Sequence, residues 1–62
     1  MTINTRVEIT KVWTNDLLGQ KGHITEIYYT DVNGREVIFY RISFDNKKIL
    51  SAIFCETQIK AL

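Results

Sequence analysis

At 62 residues, 45% of them hydrophobic, the chain holds enough apolar material for one compact core and none for a second. Eight Lys and Arg against seven Asp and Glu leave a formal net charge of +1, which excludes a whole-protein field that would draw in DNA or RNA. No apolar run exceeds four residues, against the roughly 20 needed to span a bilayer, so no membrane association is expected.

Proline is absent, so turns must come from Gly, Asn and Asp. Thr5 to Val12 alternates, with Val7 and Ile9 on one side and Arg6, Glu8 and Thr10 on the other, which predicts a half-buried first strand. Trp13 to Leu18 breaks the pattern with Thr14, Asn15 and Asp16. That segment reads as a loop, with Trp13, Leu17 and Leu18 expected to fold back over one end of the core.

Gln20 to Thr30 is the second predicted strand. Ile24 and Ile27 are three residues apart, so a bulge or sharp bend between them is needed to bring both to the core. A helix would explain the same step, but Ile24, Thr25, Ile27, Tyr28, Tyr29 and Thr30 favour a strand. Asp31-Val32-Asn33-Gly34 is the strongest local signal, because Asn and Gly both tolerate positive φ in a tight hairpin.

Glu36 to Phe44 forms the third strand, with Ile38, Tyr40, Ile42 and Phe44 assigned to the core and Val37, Phe39, Arg41 and Ser43 facing away. A polar turn, Asp45 to Lys48, leads to a fourth strand, Ile49 to Phe54. Cys55 to Gln58 reads as a single 3₁₀ turn, and Ile59 to Leu62 as a fifth strand closing against the first. Five short strands with mostly tight turns predict an all-β fold, a small barrel or sandwich, as one domain over residues 1–62.

The order of these segments resembles the KOW-type and other SH3-like barrel modules. Leu18 to Ile27 is similar to their Gly-x-x-Gly-x-hydrophobic element, through Gly19 and Gly22. Val7 to Ile9 matches the opening Val-x-Ile strand, Tyr40 to Asp45 the later Tyr-x-hydrophobic-x-Phe-Asp strand, and Phe54 through Ile59 to Leu62 the closing element. The resemblance covers roughly Arg6 to Leu62. It implies a five-stranded SH3-like barrel in which Gly19 turns the loop back and Gly22 leaves it at an unusual φ. Such barrels serve many functions, among them stand-alone phage and mobile-element proteins that block or redirect a host protein, so the fold does not name the activity.

The plasmid-encoded type II dihydrofolate reductases also have this fold. Ser51-Ala52-Ile53-Phe54 is similar to their active-site Val-Gln-Ile-Tyr stretch, but Ala52 replaces the Gln amide and Phe54 the Tyr hydroxyl. The groups that would hydrogen-bond the ligands are missing, so this activity is not expected.

Catalytic and metal signals are weak. His23 is the single histidine and should face away from the core; zinc would want three or four ligands. Cys55 is the single cysteine, so it cannot form an internal disulfide, and as a nucleophile it would need His23 beside it. A Ser-His-Asp set from Ser43 or Ser51 with His23 has no supporting spacing, and no nucleophile elbow or phosphate-cradling glycine loop is present. Glu26 and Glu36 could face each other across the hairpin, although Arg35 and Arg41 offer them a structural role as ion-pair partners. The expectation is a non-enzyme without cofactor or metal.

The free thiol fits a reducing compartment, and the start, MTINTRVEIT, has no apolar run after its first charge as a signal peptide would, so the expected location is the cytoplasm. The surplus of aromatic residues points to binding. Trp13, Tyr29, Val37, Phe39 and Arg41 form the expected protein-binding set, for a partner protein or a second copy in a homodimer. The alternative is nucleic-acid binding through the loop residues Lys11, Lys21, Arg35, Lys47 and Lys48 with aromatic stacking, although Asp16, Asp31 and Asp45 share those turns.

Overall fold

The structure is a computed structural model and describes residues 1–13 and 15–62. Thr14, expected in the first loop, lies outside the described residues. The chain forms β1 (Arg6–Ile9), β2 (Lys21–Val32), β3 (Arg35–Phe44), β4 (Ala52–Cys55), a 3₁₀ turn over Glu56–Gln58, and β5 (Ile59–Ala61). These strands make one antiparallel sheet in the order β4-β3-β2-β1-β5, with β4 and β5 at its two edges. Among the described residues, no helix is long and apolar enough to cross a membrane.

The all-β expectation is met, and so is the order of the five strands. Three of them are shorter than the sequence pattern indicates, β5 by a single residue. β1 stops at Ile9 because the Thr10 and Lys11 amides donate to the Gln58 carbonyl instead of a neighbouring strand. β4 starts at Ala52 because the preceding turn extends further, with the Ile49 amide bonded to the Asn46 carbonyl.

The predicted irregularity in β2 is a β-bulge. Ile24 pairs with Ile42 and Ile27 with Tyr40, while the ladder shifts between Ile24 and Glu26, where Glu26 faces Arg41. Thr25 is the extra residue, and its hydroxyl donates to the Arg41 carbonyl at 3.3 Å. Side chains alternate along a strand, so one added residue returns Ile27 to the same face as Ile24. The hairpin also forms as the sequence predicts: Asn33 (φ 52°) and Gly34 (φ 79°) are both left-handed, and Val32 pairs with Arg35.

The core contains Val7, Ile9, Ile24, Tyr40, Ile42, Phe44, Phe54 and Ile59, drawn from all five strands. Phe44 and Phe54 meet edge to face with ring centroids 6.0 Å apart. Phe54 and Ile59 come from opposite edges of the sheet, so the sheet must curl to bring them into one cluster. Val37 and Phe39 stay outside this cluster while Tyr40 and Ile42 are buried in it, as the period-two assignment requires.

Gly22 acts differently from expectation. It does not have positive φ; Gly19 (φ 82°) does. Gly22 is needed for close approach, because a Cβ there would sit 2.3 Å from the Ser43 carbonyl oxygen and 3.0 Å from Ile42 Cγ2 and Phe44 Cα. The obstacle is β3 backbone, which cannot move without breaking its own ladder. Gly22→Ala should therefore lower the unfolding free energy by about 1–3 kcal/mol or more. That is a large share of the roughly 3–9 kcal/mol expected at this length. Urea denaturation of the variant checks this.

Candidate functional site

Register assigns each surface side chain to a face. On the outer face, Val37, Phe39, Arg41 and Ser43 of β3 lie between Thr30, Tyr28, Glu26 and His23 of β2 on one side and, where β4 pairs, Cys55 and Ile53 on the other. The β1 end of this face is polar, with Arg6 opposite His23 and Glu8 between Lys21 and Lys60. The β4 end is apolar, with Ile53, Phe39, Cys55 and Val37.

The expected protein-binding residues do not form one patch. Val37, Phe39 and Arg41 share the outer face, and the first two are half-buried. Tyr29 is on the other face, opposite Ile38, and is nonetheless 66% exposed because the β2–β3 hairpin extends past the core. Tyr28 is the outward member of the tyrosine pair; its hydroxyl donates to Glu26 Oε2 at 2.8 Å. Arg41 is already engaged within the chain. Its Nε lies 3.1 Å from Glu26 Oε1 and donates to the Tyr28 hydroxyl at 3.4 Å, and its Nη1 reaches Ser51 Oγ at 3.4 Å. This is the structural role expected for Glu26. Glu36, in contrast, faces Asp31 and not Glu26.

Trp13 departs furthest from expectation. It does not fold over the core but is 98% exposed, and Leu18 also points outward. Of the three loop residues, only Leu17 packs against the core. The loop is drawn closed by its own backbone, with the Leu18 amide bonded to the Asn15 carbonyl, Gln20 to Leu17 and Gly19 to Ile9. Trp13 borders an open recess of about 530 Å³ together with Val12, Leu17, Ile53, Phe54 and Gln58. A second recess, of about 310 Å³, lies at the hairpin and is lined by Tyr29, Thr30, Asp31, Gly34 and Glu36. Sequence reasoning passed over Ile53, which is 48% exposed, and Leu50, which is 87% exposed. The one available signal was the charge-free run from Ile49 to Cys55.

Of the expected basic set, Arg35 stands apart, while Lys21, Lys47 and Lys48 lie near Asp45. Arg35 is at the hairpin end of β3 and Lys47-Lys48 follow its other end, about 30 Å away along the strand. Lys21 lies beside Asp45, whose amide bonds the Lys21 carbonyl, and Lys11 sits against the 3₁₀ turn through Gln58. The carboxylate of Asp45 is held in a bidentate pair by Arg6, at 2.5 and 2.6 Å.

The catalytic constellations considered from sequence are not assembled. His23 and Ser43 are cross-strand neighbours without a hydrogen bond between their side chains, and Asp45 serves Arg6 with both oxygens. Cys55 is half-buried, with Sγ 2.9 Å from Thr57 Oγ1. It pairs with Phe39, four residues along β3 from the partner of His23, which offsets the two backbone positions by about 13 Å along the strands. Among the described residues no three His, Cys, Asp or Glu side chains converge to hold a metal ion. No family model, curated protein or solved structure matches the chain.

The Arg6 hydrogen bonds hold the Asp45 carboxyl below its ordinary value of 3.8. A depressed folded-state pKa means the pair stabilises the fold above that value and is lost as pH falls through the folded-state value. Both side chains are about half exposed, so the effect is small and screened by salt. In low salt, Arg6→Gln should be less stable than wild type at about pH 6, and the two curves should converge as pH falls well below the ordinary carboxyl value of 3.8. Paired thermal melts across that range test it.

Proposed function

We propose that this chain is a non-catalytic protein-binding module, built as a small SH3-like barrel and acting in the cytoplasm. The strand order, the curl that brings Phe54 and Ile59 together, and the 3₁₀ turn between β4 and β5 support the barrel reading.

The observation that carries the functional reading is Trp13. A tryptophan left 98% exposed beside an apolar recess contributes nothing to the core. Covering its roughly 150–250 Å² would be worth about 4–6 kcal/mol gross, at about 25 cal/mol per Å². Tryptophan is also the residue type most often found at binding hot spots. The apolar outer strip of Val37, Phe39 and Ile53 continues this surface towards β3. The separation of Arg35 from Lys21, Lys47 and Lys48 by the length of β3, and the Asp45 carboxylate beside the latter, support a protein partner over nucleic acid.

Affinity capture from the source cell, with and without nuclease, tests the reading. A specific partner should survive nuclease. Trp13→Ala should reduce its capture at least about tenfold, a loss of about 1.4 kcal/mol, with the melting temperature unchanged. Phe39→Ala should weaken the same partner, while Lys47→Ala/Lys48→Ala should not. Nuclease-sensitive capture lost only in the double lysine variant would assign nucleic acid instead.

A further inference from the structure

The open edge of β4 offers more than an apolar surface. In an antiparallel ladder, residues alternate between pairs that exchange backbone hydrogen bonds and pairs whose amides and carbonyls point away from the partner. Two contacts identify which residues of β4 are which. The Cys55 amide donates to Gln58 Oε1 at 2.9 Å, so it points away from β3. The Arg41 carbonyl accepts from Thr25 on β2, so it points away from β4. Phe39–Cys55 and Arg41–Ile53 are therefore non-bonded pairs, and Tyr40–Phe54 and Ile42–Ala52 carry the β3–β4 ladder. The N–H and C=O of Ile53 point off the edge of the sheet.

Edges of this kind are usually protected by charge, proline or a bulge. β5, the other edge, is three residues long and carries Lys60. From Ile49 to Cys55 there is neither charge nor proline. The two most exposed large apolar side chains of the molecule also flank this edge: Trp13 across the recess, and Leu50 two residues before the strand.

We propose that β4 binds an extended peptide segment of a partner by strand addition, with backbone bonds to Ile53 and an apolar side chain seated between Trp13 and Ile53. This rests on the protein-binding reading and specifies its mode. The Ile53 groups call for a peptide backbone as partner, and the recess calls for an apolar side chain at alternate positions of that peptide.

A second copy does not fit. The recess is bounded on one side by β4 and on the other by Val12, Trp13 and Leu17 of the loop. A stable dimer also needs about 800 Å² from each partner, close to a fifth of the 4465 Å² surface of this chain. Four-residue edges meeting along a line do not supply that area.

The probe is a phage-displayed library of random heptapeptides, panned on the intact protein, with the selected peptides then synthesised. At 62 residues the protein itself is within reach of total synthesis, so the Ile53 amide can be replaced by an ester. This removes the outward donor and keeps the side chain; it also weakens the Ala52 carbonyl as an acceptor in the β3–β4 ladder, so the melting temperature of the ester protein is measured beside its binding. Selected peptides should show apolar residues at alternate positions and slow hydrogen exchange at the Ile53 amide. The ester should weaken them at least about tenfold, and so should Trp13→Ala. Peptides that bind the ester protein equally well would overturn strand addition while leaving a binding module in place. A library that yields no binder would overturn both. Protection of the Ile53 amide that grows with protein concentration alone would make the occupant a second copy and overturn the peptide assignment.

Discussion

The bulge at Thr25 is the constraint on which the rest of the fold depends. β2 is the longest strand and lies in the middle of the sheet, pairing with both β1 and β3. With strict alternation, Ile24 and Ile27 would fall on opposite faces, and either the core or its supporting rim would lose an isoleucine. One extra residue resolves the conflict and increases the local twist and bend. The bulge also places Glu26 opposite Arg41, so the outer-face network of Arg41, Glu26, Tyr28 and Ser51 depends on the same displacement. Gly22 makes a second contribution a few residues earlier, by allowing β2 to lie against the β3 backbone where any side chain would collide.

The surface follows from a mismatch between strand length and core size. β2 and β3 run for twelve and ten residues, but the buried cluster reaches only as far as Ile24 and Tyr40 along them. Beyond it the hairpin projects, which is why Tyr29 is exposed although it lies on the same face as the core. β1, β4 and β5 are short, and β1 gives up its backbone bonds to the 3₁₀ turn that follows β4. The ladder consequently stops at β4 with hydrogen-bonding groups pointing outward, beside a loop whose tryptophan packs on nothing. Apolar edge and exposed aromatic side chain are brought together by the 3₁₀ turn, which anchors Thr10 and Lys11 through Gln58 and so holds the start of the loop near the end of β4.

Much of this was legible in the residues because the signals are local. Asn33-Gly34 specifies its own backbone angles, so the hairpin could be placed to the residue. The Ile24 to Ile27 spacing announces an irregularity in the strand, a bulge or a sharp bend, since strict alternation cannot bury both. The alternation from Ile38 to Phe44 names the inward face of β3. The site was much less legible. For Trp13 the sequence offers two places, a cover over one end of the core and the binding set, and does not choose between them. Whether it packs depends on how the loop closes, and that is decided by bonds from Gly19 to Ile9 and from Gln20 to Leu17. Nothing in the sequence marks Ile53 and Leu50 as exposed, because neither exposure nor edge position has a sequence period.

Taken alone, the sequence determined the class of the fold, the order of its strands, the turn at Asn33-Gly34 and the side of each long strand that is buried. These follow from backbone preference and two-residue alternation, which act over a few neighbours. Only the tertiary structure decided that Gly22 is required for close approach and not for φ, that Tyr29 and Phe39 lie on opposite faces, and that the backbone of Ile53 points off the edge with no partner among the described residues. Each of those depends on which segment lies alongside which, and residues as far apart as Gly22 and Ser43, or Trp13 and Ile53, meet only once the sheet has formed.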